Sequence, residues 1–179
     1  EEQHVFRYRG YATVTDTNGE TSSAQTGVSA GYQSVILTIN APDQLPADSV
    51  HLIKVYSKNL DNEFQPAKVQ VTVERLQAPD RIFRERYWQQ PDQFVIRRDD
   101  YQHDFPFDIY KDENDPAQWR RLQQVIDKAD TTQASGEILP DKTKLTPGWY
   151  VVTATTLDKE GDTVRTRNYV QVYDQPAGR

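Results

Sequence analysis

The fold is indicated most clearly by residues 147–163, which read Pro-Gly-Trp-Tyr-Val-Val-Thr-Ala-Thr-Thr-Leu-Asp-Lys-Glu-Gly-Asp-Thr. A run rich in valine, threonine and aromatic residues is typical of a β-strand. The segment from Asp158 to Asp162 contains Gly161 and is typical of a tight turn. Residues 164–172 then predict a strand that returns alongside the first. This part of the chain is therefore predicted to be an antiparallel hairpin.

The same pattern occurs near the N-terminus. Residues 8–15 predict one strand, Asn18-Gly19 marks a tight turn, and residues 22–30 predict the returning strand. An offset of 142 residues aligns the two segments and makes seven positions identical. These pairs are Tyr8/Tyr150, Ala12/Ala154, Thr13/Thr155, Asp16/Asp158, Gly19/Gly161, Thr21/Thr163 and Val28/Val170. A unit that recurs about one domain length later indicates tandem β-modules.

Composition excludes several classes of function. The chain has 179 residues, a formal net charge of −6, no cysteine and no methionine. Without cysteine it can hold no disulfide, thiolate metal site, cysteine nucleophile or thioester. An acidic chain repels nucleic acid, which is therefore not an expected partner. No apolar run reaches the roughly 20 residues that span a bilayer, so no direct membrane insertion is expected. The missing start methionine suggests a mature or excised segment.

The alternation of polar and apolar residues predicts further strands. Residues 34–40 and 50–60 are predicted strands, and residues 67–76 give the clearest signal because Val69, Val71 and Val73 alternate with polar residues. In the N-terminal hairpin, Phe6 and Tyr8 share one parity with Ala12 and Val14, which predicts a half-buried strand. We therefore expect an all-β fold, an antiparallel immunoglobulin-like or macroglobulin-like β-sandwich.

Residues 78–131 interrupt this rhythm. Nine of the nineteen aromatic residues lie between positions 81 and 119, so the segment is an insertion that must pack on something. Asp99 is a predicted cap for a short helical turn over residues 100–104. For residues 116–130 two interpretations stay open. Asp115-Pro116 resembles a helix start, with helical spacing from Leu122 to Ala129, whereas residues 124–131 also fit a strand.

An acidic loop is the first candidate for chemistry. Asp108, Asp112, Glu113 and Asp115 lie close together in sequence. A glycosidase needs two carboxylates, and Ca²⁺ prefers hard oxygen ligands, so both are conceivable uses. The spacing of an EF-hand loop is absent, and runs of carboxylates are common on solvated loops. We expect such a loop, with calcium as the lesser alternative.

The aromatic residues of the insertion are the second candidate. Tyr87, Trp88 and Phe94, or Tyr110 and Trp119, could form a stacking platform for a glycan or peptide, aided by interleaved arginines. The competing interpretation buries these rings against a sheet and pairs the arginines with acidic residues such as Asp92, Asp99 and Asp100.

No other pattern of catalytic residues is present in the sequence. The three histidines are far apart, no serine lies in a nucleophile elbow, and no glycine-rich phosphate loop occurs. We predict no catalytic residue, no cofactor and no metal requirement, and hence no enzyme.

Several stretches resemble a known family. Residues 147–150 followed by the Asp158-x-x-Gly161-Asp162 hairpin look like the closing strands of macroglobulin-like domains of the α2-macroglobulin family. Residues 60–68, 76–81, 88–94 and 105–113 are similar to segments of the large bacterial α2-macroglobulins of the Bacteroidetes type. In that family such domains build a scaffold that presents a protease bait. The thioester needs a cysteine, so the resemblance implies none here.

The resemblance also implies an organisation into domains. Residues 33–174 are the expected macroglobulin-like domain, with the insertion at 78–131, and residues 175–179 are a linker. Residues 1–32 are expected to close a preceding domain or to add edge strands to this one. If they close a preceding domain, their apolar face lacks its original sheet.

The expected function is that of a non-catalytic scaffold domain in a protein that inhibits proteases by entrapment. Its expected partners are neighbouring macroglobulin-like domains of the same polypeptide and, through the full-length protein, a target protease. The alternative is an immunoglobulin-like adhesion or glycan-binding module of a bacterial surface protein. The expected location is the periplasm or the cell surface, with a lipid anchor upstream as one route to the surface.

Overall fold

A computed structural model describes residues 5–31, 33–84, 89, 93–140 and 143–174. Strands make up 48% of this structure and helices only 8%, which agrees with the predicted all-β class. The strands are β1 (Val5–Thr15), β2 (Thr21–Gly31), β3 (Ile36–Asn40), β4 (Gln44–Pro46), β5 (Lys54–Lys58), β6 (Lys68–Leu76), β7 (Arg121–Thr131), β8 (Gly148–Leu157) and β9 (Thr163–Tyr173). The helical pieces are α1 (Arg98–Asp104) and two 3₁₀ turns, Val50–Leu52 and Pro116–Gln118.

The largest sheet has five strands in the order β4-β9-β8-β6-β7. Four of them run antiparallel to their neighbours, but β4 pairs parallel with β9, so the expectation of purely antiparallel sheets was wrong. The three residues of β4 form an edge of the sheet. Among the described residues no further strand pairs with β4 on its outer side, so the missing N–H of Pro46 costs no hydrogen bond there. The backbone bond from Ala47 N–H to the Tyr173 carbonyl, at 2.9 Å, extends this contact.

One hydrophobic core joins this sheet to the two-stranded sheet β3-β5. Val71 and Val73 of β6 are fully buried, as the alternation predicted, and Val69 is nearly so. Residues of β3, β5, β8 and β9 complete the same core. Burial of each valine contributes about 1.5–3 kcal/mol relative to an exposed position. Strand β6 therefore contributes three valines to the centre of this core.

The structure decides between the two interpretations of residues 116–130. Residues 121–131 form β7, which pairs antiparallel with β6, so the strand prediction is confirmed and the helical spacing misled. Only residues 116–118 turn helically, and the Asp115 carboxylate accepts the Ala117 N–H at 2.9 Å to cap that turn. Residues 121–131 thus belong to the main sheet and not to the inserted segment.

Two other local predictions need correction. The predicted strand over residues 50–60 is a 3₁₀ turn followed by the shorter β5, because Val50 and Ile53 both point into the core, which a strand could not achieve. The predicted helical turn exists as α1, but its N-cap is Arg97 and makes no side-chain capping bond. Asp99 lies in the first turn instead, where its charge favours the positive end of the helix dipole.

Strands β1 and β2 form a sheet of their own and pair with no other strand among the described residues. The predicted half-buried face is wrong for this chain, because Phe6, Tyr8, Ala12 and Val14 are all exposed. The hairpin therefore has the alternating apolar residues of a strand that packs on a core, but no core among the described residues covers them.

The two hairpins have the same turn, held by the same hydrogen bonds. Asp16 Oδ1 accepts the N–H groups of Asn18 and Glu20, both at 2.9 Å, and Gly19 adopts a φ of +83°. At the offset of 142 residues, Asp158 Oδ1 accepts two N–H groups at the same distance, and Gly161 has a φ of +90°. The repeat seen in the sequence is therefore also a repeat in structure.

A third copy of this turn, which the sequence did not reveal, links β5 to residue 64. Asn59 Oδ1 accepts the N–H groups of Asp61 at 3.0 Å and Glu63 at 2.8 Å, in the role that Asp16 and Asp158 play. Asn62 takes the left-handed position with a φ of 69°. Asparagine tolerates this conformation better than most residues, so it stands here where the hairpins have glycine.

The repeated turn supplies a matched pair of substitutions. No atom lies within 4 Å of a Cβ added at Gly161 or Gly19, so alanine at either position adds only backbone strain. Gly161→Ala should lower the free energy of unfolding of the main domain by about 1 kcal/mol. Gly19→Ala should leave it unchanged, because the β1–β2 hairpin shares no core with that domain. Urea denaturation of both variants tests this, and equal losses would contradict the separation of the hairpin.

Candidate functional site

The inserted segment, residues 78–120, leaves β6 and returns through β7 at the same end of the sheet. A backbone bond from Gln77 N–H to the Arg120 carbonyl, at 2.9 Å, closes its base. Trp119 then packs edge-to-face on Trp149 of β8, with ring centroids 5.3 Å apart. The indole N–H of Trp119 donates to the Glu113 carbonyl at 2.8 Å. Trp119 therefore anchors the segment on the sheet.

Two more rings of the segment pack against Tyr110. Phe94 lies 4.7 Å and Tyr101 5.3 Å from it, measured between ring centroids. Tyr101 also contacts Phe105, the residue that follows α1, at 5.1 Å. The Tyr110 hydroxyl donates to the Ile96 carbonyl at 2.7 Å. This cluster gives the segment a small apolar centre separate from the main core.

An open cleft of about 740 Å³ lies between this cluster and Trp119. Its lining combines aromatic rings with charges of both signs. The lining residues are Pro79, Arg81, Phe83, Arg98, Gln102, Tyr110, Lys111, Asp112, Glu113, Gln118 and Trp119. Such a mixture of flat apolar surface and polar groups can hold a polar ligand such as a sugar or a peptide.

Gln102 lies between the two arginines of the cleft. With its amide oriented so that the oxygen faces the guanidinium groups, it accepts from Arg98 Nε at 2.9 Å and from Arg81 Nη2 at 3.0 Å. Arg98 also pairs with Glu113 at 3.2 Å, and Arg81 lies over the Phe83 ring at 4.9 Å. No spacing in the sequence predicted this group, because its members come from three separate stretches.

Glu113 is the charged residue most firmly held in the cleft. Burial acts to raise its pKa, but the hydrogen bonds from the backbone N–H groups of Lys111 and Glu113 and the nearby Arg98 and Arg81 outweigh burial. The pKa of Glu113 therefore lies below its usual value of 4.5. Its carboxylate stabilises the folded segment above that pH and loses this effect as the pH falls further.

The four carboxylates proposed for calcium each have a different neighbour. Asp108 lies 3.8 Å from Arg84, Asp115 caps the 3₁₀ turn, and Glu113 pairs with Arg98, whereas Asp112 lines the cleft. Within the described ranges, the group of carboxylates whose oxygens lie within 4.8 Å of one another is a different one. It consists of Asp158, Glu160 and Asp162 in the β8–β9 turn.

The predicted interaction surface is only partly brought together. Tyr110 and Trp119 both line the cleft, and Phe94 contacts Tyr110 from behind it. Tyr87 and Trp88 lie outside the described residues. Among the described residues, Arg98 pairs with Glu113 and Arg84 with Asp108. Asp92, one of the predicted partners, lies outside the described residues.

Comparisons with known proteins assign no relative. No family model matches the sequence, and a search of curated proteins finds no significant match. Within the described residues, every helix is too short or too polar to cross a bilayer.

The Glu113 geometry predicts a pH-dependent anchor. Relative to its intrinsic exchange rate at each pH, the indole N–H of Trp119 should be protected above pH 4.5 and should lose protection as the pH falls through the lowered pKa of Glu113, because the loop that carries the accepting Glu113 carbonyl is released. Glu113→Gln should remove most of this pH dependence, whereas Asp112→Asn should retain it. NMR of the indole proton between pH 3 and pH 7 measures both, and identical profiles for the two variants would contradict the assignment.

Proposed function

We propose that this chain is a non-catalytic structural module of an α2-macroglobulin-like protein, which inhibits proteases by entrapment. The supporting observation is the hairpin repeat. The same strands, the same register and the same capped turn occur twice, 142 residues apart. Repetition of a whole structural unit is typical of modules in series.

The build of the domain suits a mechanical role. Two sheets share one valine-rich core, in the manner of an immunoglobulin-like or macroglobulin-like sandwich. Protein interiors of this kind are close-packed, so the domain behaves as a stiff block that can hold its neighbours at a fixed distance. The candidate carboxylates serve local structure: Asp115 caps a turn and Glu113 holds Arg98 and Lys111. In this proposal the module contributes shape, acts through neighbouring modules and works in the periplasm or at the cell surface.

A second candidate function rests on the cleft beside Trp119. Its aromatic and charged lining favours a glycan-binding or adhesion module. Against this, the Trp119 ring already packs on Trp149 and its N–H is already used. The structural module therefore remains the leading proposal.

The entrapment proposal predicts a specific pattern of inhibition in a full-length protein that carries this module. A trapped protease should lose activity on large protein substrates but keep activity on small peptides. Leu37→Asp buries an unpaired charge in the core and costs several kcal/mol, so inhibition should be lost. Thr38→Asp, which places the same charge on the exposed face of β3, should retain it. Equal inhibition by both variants, or loss of peptide cleavage as well, would count against the proposal.

The two candidate functions are separated by glycan binding. If the module is structural, titration with oligosaccharides should leave the indole signals of the chain unchanged. If it binds glycans, the signal of Trp119 should shift, and Tyr110→Ala should weaken the effect. Phe107→Ala, a change at an exposed ring outside the cleft lining, serves as the control.

A further inference from the structure

The apolar face of the β1–β2 hairpin is the largest feature that the proposed function does not use. Tyr8 is 62% exposed, Val28 60% and Val14 68%, and Phe6 is more than half exposed. All four belong to one hairpin whose strands pair only with each other among the described residues. Exposed apolar patches of this kind mark binding surfaces on proteins.

The second hairpin, β8–β9, indicates the partner, because it has the same register as β1–β2 and is packed into a core. Tyr8 pairs with Val28 in β1–β2, and Tyr150 pairs with Val170 in β8–β9. Every pair from Arg7↔Ser29 to Thr15↔Thr21 has its counterpart at an offset of 142. The difference lies in burial, because Tyr150 and Val170 are 0% exposed.

The completed hairpin shows what covers each part. On the side away from β9, β8 pairs antiparallel with β6 from Trp149 to Thr156. Beside β9, β4 pairs in parallel with Gln171–Tyr173. The inner face lies on the core shared with β3 and β5. The corresponding positions of the first hairpin are residues 7–14 on β1 and 29–31 on β2. On that side they pair with no strand in the part of the chain that the structure describes.

We infer that the β1–β2 hairpin closes the core of a second two-sheet body, built like the one that β3 to β7 form here. In that complex β1 adds antiparallel to a strand that alternates like β6, and Tyr8 and Val28 enter its core. An intact second copy of this chain does not offer this site, because β8 already occupies the edge of its β6. The inference goes beyond the proposed function and does not depend on protease entrapment.

Three core positions show what the partner must supply. Gly10 stands where β8 has Val152, while Ser22 and Ala30 stand where β9 has Val164 and Val172. The three valines are buried, so a body that receives the smaller residues must present bulkier side chains opposite them. The partner is therefore a related body with its own complementary core, and this chain's own body fits the hairpin less tightly.

A hairpin replacement within the full chain tests the inference. Residues 150–173 are replaced by a second copy of residues 8–31 that carries Arg9→Val, because the counterpart of Arg9, Val151, is fully buried. This keeps Pro147-Gly148-Trp149 and the strand register. The chimera should fold with one cooperative unfolding transition, at a lower temperature than the unmodified chain, because Gly10 and Ser22 leave space in the core. Amides of β6 should be protected from hydrogen exchange.

Two variants of the transplanted hairpin provide the control. Tyr8→Asp with Val28→Asp places charges on the inner face and should reduce protection of the β6 amides by more than about tenfold. Ser23→Asp with Gln25→Asp places them at positions equivalent to the exposed Arg165 and Arg167 and should preserve protection. A folded chimera that tolerates both pairs equally overturns the inference. If the chimera does not fold, the exchange measurement on the unmodified chain decides.

The unmodified chain gives a second, independent measurement. At low concentration the amides of β1 and β2 should exchange much faster than those of β8 and β9, since nothing covers them. Strong protection of β1–β2 in a monomer overturns the inference. Protection that rises with concentration identifies a second copy as the occupant and also overturns it. Neither result bears on protease entrapment, whose assay is separate.

Discussion

The pairing of β6 with β8 is the constraint on which the rest of the structure depends. Eight residue pairs fix the register, and they place the valines of β6 on the same buried face as Tyr150 and Val152. A slip of one residue would turn all these side chains to the opposite face. Strands β7 and β9 add to the outer edges of this pair. The inserted segment leaves at Leu76 and returns at Arg121, which are partners in the β6–β7 ladder.

Local signals explain which parts of the fold were predictable. Both hairpins were predicted correctly because each turn carries glycine three positions after an Asp whose side chain binds the backbone. Strand β6 was predicted correctly because its valines alternate strictly with polar residues. Residues 121–131 could not be assigned, since Leu122, Val125, Ile126 and Ala129 satisfy helical spacing as well as a strand. The parallel contact of β4 with β9 was beyond reach, because three residues carry no pattern and the partner is more than 120 positions away.

The candidate site shows the same division. Some aromatic rings of the segment contact one another and Trp149, whereas its acidic residues, although close in sequence, have separate neighbours. Asp108 and Asp115 lie seven positions apart, yet one lies near Arg84 and the other caps a turn. The contacts of Gln102 with Arg81 and Arg98 in the cleft form only when the segment folds back on itself beside the aromatic cluster. Contacts of this kind depend on where the segment folds back, which residue spacing does not specify.

Burial of the two hairpins is decided by what surrounds them and not by their own sequences. Identical turns and registers leave Tyr150 in a core and Tyr8 in water, although burying such a ring is worth several kcal/mol. Ser34 also contacts the second hairpin. Ser34 N–H donates to Asp158 Oδ2 and Lys159 N–H to Ser34 Oγ, both at 3.4 Å, so the chain that enters β3 is tied to the β8–β9 turn. Since Ser34 lies three positions after Gly31, the last residue of β2, a body closed by β1–β2 must lie near this turn, which limits the orientations that neighbouring modules can adopt.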